Sequence, residues 1–147
     1  MLFLDSKNRN LIAAMYLNQV FIKKAIQFWK PAIWLALICY GLFLPANELP
    51  MKSFLKIPNF DKMVHFSLFF VLCLLLFRPV KLLQLKTYFF APLISIALGA
   101  MLELVQHSIT SSRNSDIFDF LANFSGILAS LLFYHFFVSG KRWEKLF

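Results

Sequence analysis

The chain has 147 residues, 60% apolar, 18% aromatic and only 15% charged, and so carries more apolar surface than a soluble domain of this length can bury. That composition excludes a water-soluble enzyme or binding module and places the chain in a bilayer. Its formal charge of +8 gathers at the ends of apolar runs, where headgroups and membrane topology account for it, so no nucleic-acid partner is expected.

Residues 10–30 place Gln19, Lys23, Gln27 and Lys30 at helical spacing, with Leu17, Phe21, Ile22, Ile26 and Trp29 on the other faces. This predicts an amphipathic helix on the cytoplasmic leaflet, its lysines at the headgroups and its apolar residues in the acyl boundary. The competing reading is a fifth, partly inserted span, because residues 11–22 are uncharged but too short to cross alone. The N-terminal stretch lacks the basic-then-apolar pattern of a cleavable signal, so the first span is expected to act as its own insertion signal.

Four spans follow, at 31–45, 63–80, 87–107 and 117–139, against a requirement of about 20 residues each. Trp29 and Trp34 are expected as interfacial anchors of the first, and Pro31 sits in its first turn, where a missing N–H costs little. In the second, the uncharged stretch is short, and Arg78 must snorkel for it to cross. The expected fold is all-α: a polytopic bundle of four spanning helices (31–147) preceded by the interfacial helix (1–30).

Lys7, Arg9, Lys23, Lys24, Lys30, Arg78, Lys81, Lys86, Lys141, Arg142 and Lys145 all fall on one side of such a bundle. By the positive-inside rule that side, with both termini, is cytoplasmic. The other side holds Lys52, Lys56, Lys62 and Arg113 with Glu48, Asp61, Glu103, Asp116 and Asp119, close to charge balance.

Ionisable groups at membrane depth cost roughly 2.5–3.5 kcal/mol each at a helix centre and face a protein interior or a wet cavity. Here they recur on three spans. Asp61 and His65 share a helical face at i, i+4, where a carboxylate orients an imidazole, although Asp61 and Lys62 also suit a plain helix start. Glu103, Gln106 and His107 share a face, with Glu103 about one turn inside the outer boundary. In the last span Asp116 or Ser115 can cap the helix, whereas Asp119 and Asn123 lie too deep for a cap and line a stripe with Gly126. The three stripes converge on the outer side, with Arg113 in the preceding loop placed to neutralise carboxylates or take a phosphate in its fork. The plainer alternative is an ion-pair and hydrogen-bond network that fastens the helices.

The run Asp61-Lys62-x-x-His65-Phe66, then Glu103-x-x-Gln106, then Arg113, Asp116, Asp119, Asn123 and Gly126 resembles the VanZ-like family of small bacterial membrane proteins, over residues 59–130. The resemblance implies a multi-pass protein of four to five helices in the bacterial cytoplasmic (inner) membrane. The family is named for a member linked to glycopeptide (teicoplanin) resistance, which gives glycopeptide susceptibility as a phenotype and not as a mechanism. It carries over Asp61, Lys62, His65, Glu103, Gln106, Arg113, Asp116, Asp119 and Asn123 as a functional or structural centre.

Two functional readings follow. In the first, the outward cavity binds an anionic lipid or an isoprenoid-phosphate-linked envelope precursor, with Arg113, Lys62 and His65 on the phosphate and Glu103 and Asp119 orienting them. In the second, His65 or Glu103 is the general acid or base of an enzyme acting on a lipid-linked substrate. No activated nucleophile is visible, because Ser111 and Ser112 lack a base at readable spacing, and this favours binding. A third reading is an accessory subunit of an envelope complex with a membrane-protein partner. His65, Glu103, His107 and Asp119 are metal-ligand types, but no closed motif such as His-Glu-x-x-His is present, so neither metal nor cofactor is expected. Cys39 and Cys73 read as buried thiols, and His135 as interfacial.

Overall fold

A computed structural model describes residues 6–43, 59–109 and 117–146, apart from the side chains of residues 6–7, 42–43 and 106–109. The described residues are mostly helical, with no strand among them: α1 (Ser6–Ile26), α2 (Trp29–Phe43), α3 (Phe60–Leu82), α4 (Thr87–Ile109) and α5 (Ile117–Phe133). The last continues as a π-helical turn, Tyr134–Val138, and a 3-10 turn, Arg142–Leu146, follows.

Three segments are long and apolar enough to cross a membrane: Phe60–Leu82, Thr87–Val105 and Ile117–Val138. At 23 residues, α3 reaches about 34 Å, so the second span is longer at both ends than its uncharged stretch implied. Arg78 lies within it, half-buried. The described part of α2 has 15 residues, about 22 Å. Helix α1 does not run on to Lys30 as its periodicity suggested. Its end tightens through Gln27 N–H to Lys24 O and Phe28 N–H to Ala25 O, and a turn at 27–28 separates it from α2. Described side chains of α1 such as Tyr16, Leu17 and Phe21 are largely exposed, as are Leu104, Ile117, Leu132 and Phe136 on the spanning helices. So broad an apolar exterior belongs to a lipid-facing surface.

Helix α3 is the central element, packing most extensively against α5 and then α4. Its buried stripe, Phe69, Leu72, Cys73, Leu76, Phe77 and Val80, follows the i, i+3, i+4, i+7 spacing of one helical face. His65 extends that same face upward by one turn. Across from it, α5 buries Asn123, Gly126, Ile127 and Ser130, and the π-turn buries Tyr134 and Val138. The backbones meet at Gly126, where a Cβ would stand 2.2 Å from the Phe66 carbonyl oxygen and 3.1 Å from the Phe70 nitrogen. Only a residue without a side chain fits there. Lower down, the rings of Phe77 and Tyr134 stack at 3.9 Å and 6°. On the opposite flank the Trp34 indole N–H donates to the Leu68 carbonyl at 2.9 Å, so Trp34 packs α2 onto α3 rather than standing only at an interface.

The turn into α4 ends α3 with a Schellman motif. Gln84 takes the left-handed conformation at φ 60°, its N–H donating to Lys81 O and that of Leu85 to Val80 O. These bonds satisfy carbonyls that the helix end leaves open. At this same end the C-terminal turn folds back on the bundle. One Glu144 oxygen accepts from Lys81 Nζ and the Tyr134 hydroxyl, and the other accepts from the Gly140 N–H. Lys30 Nζ reaches the Leu146 carbonyl at 2.6 Å. Lys30, Lys81 and the basic tail thus share one end of the bundle, and Lys62, His65 and Asp119 the other. Burial pushes the Glu144 carboxyl up, but the bonds from Lys81, Tyr134 and Gly140 outweigh it and hold the group below the ordinary carboxylate range.

Replacing Gly126 with Ala is expected to force α3 and α5 apart at a cost of about 3 kcal/mol, read as a lowered melting temperature in detergent. Gly41→Ala, whose Cβ would meet nothing within 4 Å, should leave the melting temperature equal or higher. Because the folded-state pKa of Glu144 is depressed, its stabilisation is present above the unfolded value of 4.5 and lost as pH falls through the folded value. Glu144→Gln should therefore cost about 1 kcal/mol at neutral pH, and the gap from the parent should close in melts taken below pH 4.5.

Candidate functional site

The polar groups lie at the end of the bundle opposite the basic tail. His65 is the sixth residue of α3 and Asn123 the seventh of α5, which sets them about 8–9 Å inside their helix starts. Both are 2% exposed, in a zone where an unpaired polar group is expensive. Each is satisfied by the other. Asn123 Nδ2 donates to Glu103 Oε1 at 3.1 Å, which turns Asn123 Oδ1 toward His65. His65 Nδ1 lies 3.1 Å from that oxygen, and since an amide oxygen only accepts, the ring donates from Nδ1–H. Glu103 Oε1 is also 3.7 Å from His65 Nδ1. Three helices are thereby joined by one chain, His65 on α3, Asn123 on α5 and Glu103 on α4.

Nearer the helix ends, Lys62 Nζ sits 3.3 Å from Asp119 Oδ1 and 5.8 Å from the centre of the Phe118 ring. The Lys62 side chain is 32% exposed, against 13% for Asp119 and 11% for Glu103. The ammonium is therefore the outermost of these groups and the imidazole the innermost. Asp61, one turn before His65 on the same face of α3, completes the group: Asp61, His65 and Asp119 each bring a ligand-type atom within 4.8 Å of the others. Asp61 and Lys62 have other interaction partners as well.

Of the nine residues singled out in the sequence, six, Asp61, Lys62, His65, Glu103, Asp119 and Asn123, come together here. Gln106, Arg113 and Asp116 lie outside the described side chains, as does His107. The stripes on three helices gave the members but not their connectivity. Asn123, read as one polar residue on a stripe, is the bridge, since its carboxamide donates from Nδ2 to Glu103 and accepts at Oδ1 from His65. The Lys81–Glu144–Tyr134 closure at the far end went unread. The signal for it is an acid three residues after Lys141, the lone carboxylate in a basic tail.

Chemically the site offers an imidazole with one nitrogen fixed by a neighbour, carboxylates on three helices and an ammonium toward the outside. It can bind a polar headgroup, pass a proton or hold a cation. Removing the bridge should unpair both neighbours. Asn123→Leu is expected to destabilise the protein by about 2–3 kcal/mol, and a double-mutant cycle with Glu103→Gln in thermal melts should return a coupling energy of at least about 0.5 kcal/mol. Additive effects would mean that the Asn123–Glu103 bond contributes nothing. No family model, curated protein or solved structure matches this chain.

Proposed function

We propose that the chain is a four-span protein of the bacterial cytoplasmic membrane, VanZ-like in kind, whose outward-facing polar site binds the headgroup of an anionic lipid or lipid-linked envelope precursor. In this reading α2 belongs to the first of the four spans, α1 lies on the cytoplasmic leaflet and both termini are cytoplasmic. The grouping of Lys30, Lys81 and Lys145 at the end away from the site supports that orientation. The observation that carries the binding reading is the layered site itself: a buried His65–Asn123–Glu103 chain under a Lys62 ammonium that is one-third exposed. An ammonium at a membrane boundary supplies the charged donor that a phosphate-bearing headgroup requires. Arg113, four residues before α5 in sequence, is proposed as the second phosphate contact. Glycopeptide susceptibility would be a consequence of that binding.

A second reading draws on the same geometry. With Nδ1–H held by Asn123, a neutral His65 has its Nε2 lone pair available, the requirement of a general base acting on a lipid-linked substrate.

Purification of the parent protein and the Lys62→Ala, Arg113→Ala and Glu103→Gln variants in native-lipid particles, followed by mass spectrometry of bound lipids, tests the proposal. The expected result is an isoprenoid phosphate or other anionic lipid enriched in the parent, reduced about tenfold or more in both cation variants and retained in Glu103→Gln. Turnover of that lipid by the parent and its absence in His65→Ala or Glu103→Gln would establish the enzyme reading instead. Identical bulk lipids in all four proteins, with the variants merely less stable, would reduce the site to a helix fastener.

A further inference from the structure

Asp61 on α3 and Asp119 on α5 stand beside the buried His65 at the polar end of the bundle. The arrangement of these ligand-type atoms suits a cation.

We infer that Asp61, His65 and Asp119 form a binding site for a divalent transition metal of the zinc class. A mixed nitrogen and oxygen set of one imidazole and two carboxylates is the donor chemistry of such ions, and three protein ligands leave a coordination position for water or another oxygen. Two carboxylates with a neutral imidazole balance a 2+ charge. The three ligand-type atoms lie within 4.8 Å of one another, whereas ligands about 2.1 Å from a tetrahedral ion stand about 3.4 Å apart. Closure of up to about 1.4 Å, within the swing of two Asp rotamers, brings them onto the ion.

His65 supplies an independent observation. It is 2% exposed, and both its polar contacts, to Asn123 and Glu103, are made by Nδ1. Nε2 makes no hydrogen bond among the described residues. A metal-ligating histidine has this pattern, one nitrogen donating to a carbonyl or carboxylate, which fixes the tautomer and raises the basicity of the other. Here Asn123 performs that role, backed by Glu103. The Lys62 ammonium, 3.3 Å from Asp119 Oδ1, is the internal competitor. Its side chain is one-third exposed and can turn outward when an ion takes its place. The inference reverses the expectation from sequence that no metal is held, because Asp61 and His65 are joined by a residue from another helix, a spacing no linear motif displays. It goes beyond the headgroup reading and does not depend on it.

The test uses full-length protein, stripped of metal by chelator and held in a zwitterionic detergent free of anionic lipid, titrated with zinc chloride by isothermal calorimetry. One saturable equivalent of zinc is expected. Affinity should fall at least tenfold in Asp119→Asn and His65→Gln, fall about tenfold in Asn123→Leu through the lost orienting bond, and rise in Lys62→Ala as the competing ammonium goes. The rise in Lys62→Ala keeps the test decisive if a buried variant folds poorly, and each variant's helicity is checked by circular dichroism. Absence of a one-equivalent event, or zinc binding indifferent to Asp119→Asn and to Lys62→Ala, overturns the inference. Zinc binding here with no lipid enriched in native particles would remove the headgroup reading alone, and the converse result would remove the metal site alone.

Discussion

Everything in this bundle hangs on how closely the backbones of α3 and α5 approach at Gly126. A β-carbon at that position would overlap the Phe66 carbonyl at 2.2 Å, so the seam exists only because the residue has none. In a bilayer the surrounding tails are as apolar as the side chains, and close van der Waals fit replaces the hydrophobic effect as the force joining helices. From that one contact the seam runs both ways. Outward, beside Phe66 on α3 and three residues from Gly126 on α5, it brings His65 and Asn123 to 3.1 Å; toward the basic end it lets Phe77 and Tyr134 stack at 3.9 Å. A wider seam would lose the bond and the stack together.

The polar end is tolerated because its groups are satisfied in order of depth. The innermost, His65 and Asn123, exchange a fixed hydrogen bond with each other and with Glu103. The outermost, Lys62 and Asp119, form an ion pair nearer the boundary, where charge costs less. A core without these groups would pack at lower cost, since replacing a buried polar network by well-fitted apolar residues is often neutral or better. The network is therefore weak as an explanation of stability, and its presence directs attention to what the site receives. The two ends of the bundle differ in what joins the helices: aromatic stacking and a closed tail at one, hydrogen-bonded and ion-paired side chains at the other.

Much of this was legible in the letters. The spanning helices at α3, α4 and α5 announce themselves by apolar length, and the i, i+4 spacing of Asp61 with His65 puts both on the face that also carries Phe69 and Cys73. Gly126 was legible as a member of the Asp119 and Asn123 stripe. Other features were not legible for physical reasons. The turn at 27–28 breaks a helix whose periodicity continues, because periodicity reports a face and not an axis. Asn123 as the bridge depends on the rotation of α5 about its axis relative to α3 and α4, which no single stripe encodes. The longer reach of α3 was hidden by Arg78 and Lys81, charges that cut the apolar run while their stems extend the helix. The pairing of Glu144 with Lys81 joins residues 63 apart and leaves no local pattern.

The closed tail bears on how the protein is made. Lys30 meets the carbonyl of Leu146, 116 residues later, and Lys81 meets Glu144 across 63. Translation delivers α2 and α3 long before the residues that bridge their ends, so Lys30 and Lys81 wait for partners until α5 has entered the bilayer. Joining those ends is a late event in biogenesis, and it ties completion of the first helix-bundle contacts to arrival of the last membrane segment.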